Sequence, residues 1–215
     1  MKCEIIPTIL VQDRLEFVRR LGIMEGKIPV AQMDILDGKF VANTTFADPK
    51  IAAKYKVDYE LDLMVEDPEP VLVAWKNVAG VKRAFIHAEI KKPLSPLLKK
   101  IKAYGWEAGI TLNPDTSWET VKDFVEKIDA VLFMTVYPGQ NGALFQPKVL
   151  PKIKQFHKTY PKMPIEVDGG VNAQTLPSLL EAGVRRFAVG SGIWSAQDAL
   201  TAYKRLLTFI NKSRI

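Results

Sequence analysis

Three short apolar runs in the sequence carry acids on a face that should point into the protein. In the first run, alternation along a strand places Gln32 and Asp34 on one face with apolar neighbours. The runs at residues 60–62 and 166–168 repeat the pattern, with Glu and Asp two positions apart. A buried acid is unfavourable by several kcal/mol unless it is paired, metal-bound or protonated. We therefore predict that acids from separate strands converge on one site.

Asp34, Asp62 and Asp168 lie near the carboxyl ends of these runs. Like charges at close range raise one another's pKa values unless a cation lies among them. Convergence of these acids is therefore typical of a metal site or of an acid/base pair, with surface carboxylates on a splayed rim as the alternative. Asp37 falls on the opposite face and is expected to cap or brace the turn that follows.

Glycine-rich loops follow three apolar runs in the second half of the sequence. Glycine lets backbone N–H groups approach an anion closely, and the start of a following helix adds its positive dipole end. These loops therefore predict a phosphate site, although tight turns would need the same glycines. The candidate phosphate-binding residues are Gly139, Gln140, Asn141, Gly142, Gly169, Gly170, Gly190 and Ser191.

Three further side chains are placed near these acids by the same strand pattern. His87 is interpreted either as a substrate contact or as a hydrogen-bonded core histidine. Met64 and Met134 occur at strand ends, where methionine usually fills space. As a functional alternative, the two methionines would cover a reacting carbon with apolar side chains.

The elements that must position these residues alternate strictly along the chain. Caps at Asp13, Asp48 and Asp67 begin three of the predicted helices, and Gly22 is predicted to end the first. The predicted strands are residues 4–10, 30–36, 57–65, 81–88, 107–112, 130–136, 164–167 and 186–189. Eight evenly spaced strand–helix units favour a parallel (β/α)₈ TIM barrel over a doubly wound sheet. Catalytic groups of such a barrel lie at the carboxyl ends of the strands, where every candidate above is found.

Length and composition set the remaining bounds. The 215 residues are expected to form one domain spanning 1–215, with 47% hydrophobic and 25% charged residues. No apolar run is long enough to span a membrane, and the run at residues 5–10 is too short for a signal peptide. The single cysteine, Cys3, excludes an intrachain disulfide framework, and we expect a cytoplasmic protein. The net charge of +6 is scattered, so neither nucleic acid nor a membrane is expected as a partner.

Along nearly its whole length, the chain resembles the ribulose-phosphate 3-epimerase family. The order and spacing of the matching segments make the resemblance specific. These segments are residues 7–10 (PTIL), 33–41 (MDILDGKFV), 63–65 (LMV), 134–139 (MTVYPG), 147–153 (PKVLPKI), 166–172 (EVDGGVN) and 190–191 (GS).

The resemblance implies a ribulose-phosphate binding barrel and a metal-dependent reaction of carbohydrate metabolism. One acid removes the C3 proton of a ketopentose phosphate and a second returns a proton from the other face. The two acids of the family fall on Asp34 and Asp168. Its metal ligands are these acids and two histidines, and the histidine positions hold Gln32 and Asp62 here.

Other departures from the family lie nearer the substrate. Thr8 replaces the serine of a Pro-Ser-Ile-Leu motif and is retained as a substrate-binding candidate. Leu36 replaces one active-site methionine. The phosphate loop, Asn-Pro-Gly-Phe-Gly-Gly in the family, reads YPGQNG at residues 137–142.

The remaining ligand candidates are Gln32, Asp34, Asp62 and Asp168, which offer only oxygens if the glutamine binds through its carbonyl. Such a set suits a hard cation such as magnesium or manganese better than zinc. The alternative is a metal-free site in which one carboxylate keeps a proton.

The leading interpretation is a sugar-phosphate epimerase of the pentose phosphate type, an isomerase whose partner is a phosphorylated sugar. One alternative is another sugar-phosphate epimerase or isomerase, or a decarboxylase of the wider barrel superfamily. The other is a paralogue that only binds a phosphorylated ligand. Survival of both acids favours an enzyme, whereas loss of both histidines favours the binder. The sequence leaves homo-oligomerisation open.

Overall fold

A closed barrel of parallel strands forms the centre of the protein. This computed structural model describes residues 2–139 and 142–212. Within them, eight strands pair in chain order, and the last pairs with the first. The strands are β1 (Glu4–Ile9), β2 (Val30–Leu36), β3 (Asp58–Met64), β4 (Val81–His87), β5 (Glu107–Leu112), β6 (Ala130–Met134), β7 (Ile165–Asp168) and β8 (Arg186–Val189).

Helices follow each strand, which confirms the predicted (β/α)₈ TIM barrel. They are α1 (Arg14–Met24), α2 (Pro49–Ala52), α3 (Pro68–Trp75), α4 (Leu94–Ala103), a 3₁₀ helix (Trp118–Lys127), α5 (Val149–Thr159), α6 (Leu176–Glu181), α7 (Ser191–Trp194) and α8 (Ala199–Lys212). The three predicted caps are present, because the carboxylates of Asp13, Asp48 and Asp67 accept hydrogen bonds from first-turn N–H groups.

The end of one predicted helix was wrong. Helix α1 continues through Gly22 and ends at Met24, because Gly22 does not adopt a positive φ and the chain first reverses at Gly26, where φ is 68°. The segment after β5 is a 3₁₀ helix, and the short α7 after β8 was not predicted at all.

The hydrophobic core has two parts. Side chains such as Phe17, Trp75 and Phe156 pack in the layer between barrel and helices. Inside the barrel, Phe85 and Met134 belong to a smaller apolar cluster. No helix in the described ranges is long and apolar enough to cross a membrane.

The barrel interior also holds a buried ionic network towards the amino ends of the strands. Arg83 lies 3.1 Å from the Glu60 carboxylate and 3.7 Å from that of Glu166, and both glutamates are fully buried. Burial, reinforced by the Glu166 carboxylate, raises the pKa of Glu60 well above its usual range, although Arg83 opposes this rise. The ion pairs extend from there to Glu4, Glu107 and Arg186.

Two glycines test this packing in opposite directions. A Cβ added at Gly109 would lie 2.2 Å from the ring of Phe85 inside the barrel, whereas one added at Gly22 meets nothing within 4 Å. We expect Gly109→Ala to destabilise the fold by about 1–3 kcal/mol through overpacking. Gly22→Ala should stabilise it by about 0.5–1 kcal/mol by favouring the helix. Urea unfolding measures both changes, and a neutral Gly109→Ala variant would contradict the packing described.

Candidate active site

The carboxyl end of the barrel brings three aspartates together. Asp34 on β2 pairs in register with Asp62 on β3, and Asp168 ends β7. Each offers an oxygen, and these oxygens lie within 4.8 Å of one another. All three side chains are buried, with Asp168 the most exposed at 9%. The acids of separate strands therefore converge, as their alternation predicted.

Gln32 links two of these acids. Its Nε2 donates to Asp34 Oδ1 and to Asp168 Oδ2, each at 2.6 Å. Its own Oε1 is buried and has no hydrogen-bond partner. The sequence left open whether this glutamine offers its carbonyl oxygen to a metal or belongs to a metal-free site. In the structure it presents the amide N–H₂ group to the acids instead.

Burial changes the protonation of the linked acids. It raises the pKa of Asp34 to about 7, the charge of Asp62 adds to this rise, and hydrogen bonds with Gln32 and Thr8 oppose it. Burial also raises the pKa of Asp168 well above its usual range, with further repulsion from Asp34 and Asp62. Both shifts disfavour ionising Asp34 and Asp168 together.

Asp62 is held from another side. Thr111 Oγ1 donates to its Oδ1 at 3.0 Å, and His87 Nε2 lies 3.6 Å from the same oxygen. His87 Nδ1 lies 3.4 Å from a Glu89 oxygen. Burial alone would lower the pKa of His87, but the two carboxylates outweigh it and raise that pKa to about 9. His87 is thus a buried cation between two acids.

His87 also packs against the ring of Phe40, with centroids 4.6 Å apart, and its side chain is fully buried. It is not among the residues that line the cavity described next. Of the two interpretations offered by the sequence, its surroundings match the core histidine, although ion pairs hold it in place of hydrogen bonds.

A cavity at the barrel mouth joins the acids to the glycine loops. It is lined by Asp34, Asp168, both candidate methionines and nearly all the candidate phosphate residues. The predicted residues on its wall are Thr8, Asp34, Met64, Met134, Gly139, Gly142, Asp168, Gly169, Gly170, Gly190 and Ser191. Gln140 and Asn141 lie outside the described residues.

The loop after β7 needs its two glycines. Gly169 and Gly170 have φ values of 107° and 62°, a region that side-chain-bearing residues rarely adopt. A Cβ at Gly169 would lie 2.3 Å from Val136, and one at Gly170 would lie 2.8 Å from Phe145. The backbone can therefore pass close to the cavity here.

The glycines after β8 open the short helix α7, whose Trp194 was missed by the sequence analysis. Trp194 Nε1 donates to the Thr8 carbonyl oxygen at 2.6 Å and so ties α7 to β1. The Arg20 guanidinium stacks 4.7 Å from the Trp194 ring. An indole four residues into a loop–helix segment gives no local sequence signal for either contact.

The three aspartates could hold a metal ion by their spacing alone. Gln32 does not fit the four-oxygen set that the sequence suggested, because its N–H₂ group faces the acids. Turning the amide over would oppose its oxygen to two carboxylate oxygens at the same 2.6 Å separations. The hydrogen-bond network therefore fixes the amide orientation, so a hard cation would meet three carboxylates here without the glutamine oxygen.

A second, larger cavity lies at the other end of the barrel. It has a volume of about 710 Å³ and is lined by residues such as Lys27, Lys56 and Tyr55. None of the three aspartates contributes to it. The larger cavity therefore lies away from the converging acids and the glycine loops.

Sequence comparison relates the chain to one enzyme family. A family model described as "Ribulose-phosphate 3 epimerase family" matches residues 4–194. The ribulose-phosphate 3-epimerase of Bacillus subtilis (strain 168) is 34% identical over 212 residues, which cover 94% of this chain and 97% of that protein. The ribulose-phosphate 3-epimerase of Schizosaccharomyces pombe is 29% identical, covering 92% of this chain and 90% of that protein.

Structure comparison supports the fold alone. The crystal structure of 3-hexulose-6-phosphate synthase matches with a TM-score of 0.69 at 15% sequence identity. The match covers 97% of this chain and 99% of that one. At this identity the likeness is one of architecture.

The buried cation at His87 predicts a pH dependence of stability. A histidine whose pKa rises from 6.5 to about 9 on folding contributes its full stabilisation below pH 6.5 and loses it as the pH rises through about 9. We expect His87→Gln to be less stable than the parent by a few kcal/mol below this window. The difference in unfolding free energy should shrink above it. A difference that does not vary with pH would contradict the ion pairing.

Proposed function

The chain belongs to the ribulose-phosphate 3-epimerase family, and from that premise we propose that it inverts C3 of a ketopentose phosphate with Asp34 and Asp168 as acid and base. Family membership supports the broader function, a sugar-phosphate epimerase of the isomerase class. The proposal that Asp34 and Asp168 transfer protons at C3 depends on the geometry of the site.

One observation carries it. Asp34 and Asp168 are held by the same amide nitrogen, at 2.6 Å each, and line the same cavity. Epimerisation needs two groups about one carbon, one ionised and one protonated. The raised pKa values of both acids suit that division at neutral pH, because burial and mutual repulsion disfavour ionising both.

The reaction proceeds in two proton transfers. The ionised carboxylate takes the proton from C3, and the electron pair of the C3–H bond moves to form an enediolate with the neighbouring C2 carbonyl. The protonated acid then returns its proton to C3 from the opposite face. The pair ends with its proton on the other aspartate, and exchange with solvent restores the starting state.

Met64 and Met134 line the cavity beside these acids. Each is 2% exposed, so their apolar side chains would keep water from the enediolate carbon. We assign them this covering role.

The phosphate group would lie against the loops after β7 and β8. Gly170, Gly190 and Ser191 line the same cavity as the acids, so a sugar could reach the acids while its phosphate meets backbone N–H groups. We propose that Gly139, Gly142 and Gly169 complete this phosphate site, which we call the phosphate cradle. The cluster contains neither imidazole nor thiolate among its candidate ligands, which disfavours zinc.

The two acids give the direct test. Asp34→Asn and Asp168→Asn keep size and hydrogen bonding but cannot carry the proton, so each should reduce turnover of ribulose 5-phosphate at least about a hundredfold. Solvent deuterium should enter C3 with the parent protein, and this exchange should be lost in the variant that removes the aspartate acting on ribulose 5-phosphate. Phosphate binding should be retained.

Asp58→Asn is the matched control, because Asp58 lies at the amino end of β3, where it pairs with Lys82. It should retain parental activity. If the parent exchanges no deuterium at C3, with or without added magnesium or manganese, epimerisation of this sugar is excluded. Phosphate binding without exchange would then favour the non-catalytic binder.

The phosphate cradle is tested by charge. Ser191→Asp adds a carboxylate to the cavity wall and should weaken binding of inorganic phosphate by roughly tenfold or more through repulsion. Ser195→Asp makes the same change at the other end of α7, on an exposed residue outside that wall, and should bind phosphate like the parent. Calorimetric titration measures both. Equal affinity in the two variants would locate the phosphate elsewhere.

A further inference from the structure

We infer that the Gln32 amide replaces a metal ion in this site, so that the acid pair is assembled and works without a bound cation. This inference rests on the proposed function, since it concerns how the same two acids are held. The resemblance to the family implies a metal ligand at the position of Gln32. The contacts of this chain give that position another role.

The first argument is the bridge across the barrel. Gln32 and Asp34 belong to β2, whereas Asp168 belongs to β7, so the bond from Nε2 to Asp168 joins strands that are not neighbours in the sheet. Both hydrogens of the amide are used, one on each acid. A bound cation would hold two carboxylates by lying between them. Here the neutral Gln32 amide holds both carboxylates, and it adds no positive charge to offset theirs.

The second argument is the third carboxylate. Asp62 Oδ1 accepts from Thr111, with the imidazole of His87 beyond it at 3.6 Å. His87 in turn faces Glu89 on its other side. Asp62 therefore has a protein partner of its own, although its Oδ2 accepts no hydrogen bond. Each of the three aspartates is held by a side chain of this chain.

The competing arrangement makes a different demand on Gln32. A manganese ion held by all four of these side chains would take an oxygen from the glutamine, and the amide would have to turn over. In that case its N–H₂ group would leave both carboxylates. The two arrangements therefore differ in the surroundings of the Gln32 amide protons, which can be observed directly.

The experiment is a titration of the full-length, chelator-dialysed protein with Mn²⁺, followed by the side-chain amide signals in ¹H–¹⁵N spectra. The Gln32 signals are identified by their loss in Gln32→Glu. They should be present before addition and remain unbroadened at equimolar Mn²⁺, and protein purified without chelator should contain far less than one metal ion per chain. Broadening of these signals at equimolar Mn²⁺, or one tightly held ion per chain, would overturn the inference.

Gln32→Glu also tests the replacement in reverse. It removes both donors and completes a set of four carboxylates, so it should bind Mn²⁺ at least about tenfold more tightly than the parent. Gln155→Glu makes the same change on an exposed residue of α5 and should leave Mn²⁺ affinity unchanged. Parent affinity that already equals that of Gln32→Glu would contradict the inference.

Catalysis supplies a separate readout. Deuterium exchange at C3 by the parent should be unchanged by excess chelator, and loss of exchange that Mn²⁺ restores would overturn the inference. If the parent exchanges no deuterium under any condition, the proposed function fails. The Mn²⁺ titration then decides the role of Gln32 by itself.

Discussion

Burial of three carboxylates inside a closed barrel is the constraint on which the rest of the site depends. Barrel closure brings β2 and β7 to face one another. Asp34 and Asp168 therefore share one amide donor, although 134 positions separate them in the sequence. Two ionised carboxylates whose oxygens lie within 4.8 Å of each other, removed from water, repel strongly. The Gln32 amide bridges two of the acids, and His87 lies beside the third. A proton kept by this pair would supply the general acid of the proposed mechanism.

The barrel interior solves the problem of buried charge differently at its two ends. Strands β3 and β7 each carry an acid at both levels, Glu60 with Asp62 and Glu166 with Asp168. At the amino end, Arg83 contributes fixed positive charge to its glutamates. At the carboxyl end, no lysine or arginine lines the cavity that Asp34 and Asp168 share, within the part of the chain described. The glutamates at the amino end therefore have an arginine between them, whereas Asp34 and Asp168 at the carboxyl end have the neutral Gln32 amide.

Local patterns in the sequence predicted most of the fold. The strands β2, β5 and β8 have the predicted bounds, because alternation and turn residues mark both ends. The caps at Asp13, Asp48 and Asp67 are likewise local. Gly22 misled because a glycine ends a helix only when it takes the left-handed conformation. The orientation of the Gln32 amide and the pairing of His87 with Asp62 depend on residues from distant strands, so a single sequence could not reveal them.

If Asp34 and Asp168 share one proton in the resting protein, their carboxyl groups titrate as a pair. The most direct measurement is ¹³C NMR of the two carboxyl carbons in ligand-free protein across a pH titration. Near neutral pH the pair should carry one proton, and both carbons should respond to a common titration near pH 7 or above, in line with the pKa of about 7 for Asp34. Two carboxylates that are both fully ionised below pH 6, with separate titrations in the usual aspartate range, would contradict it.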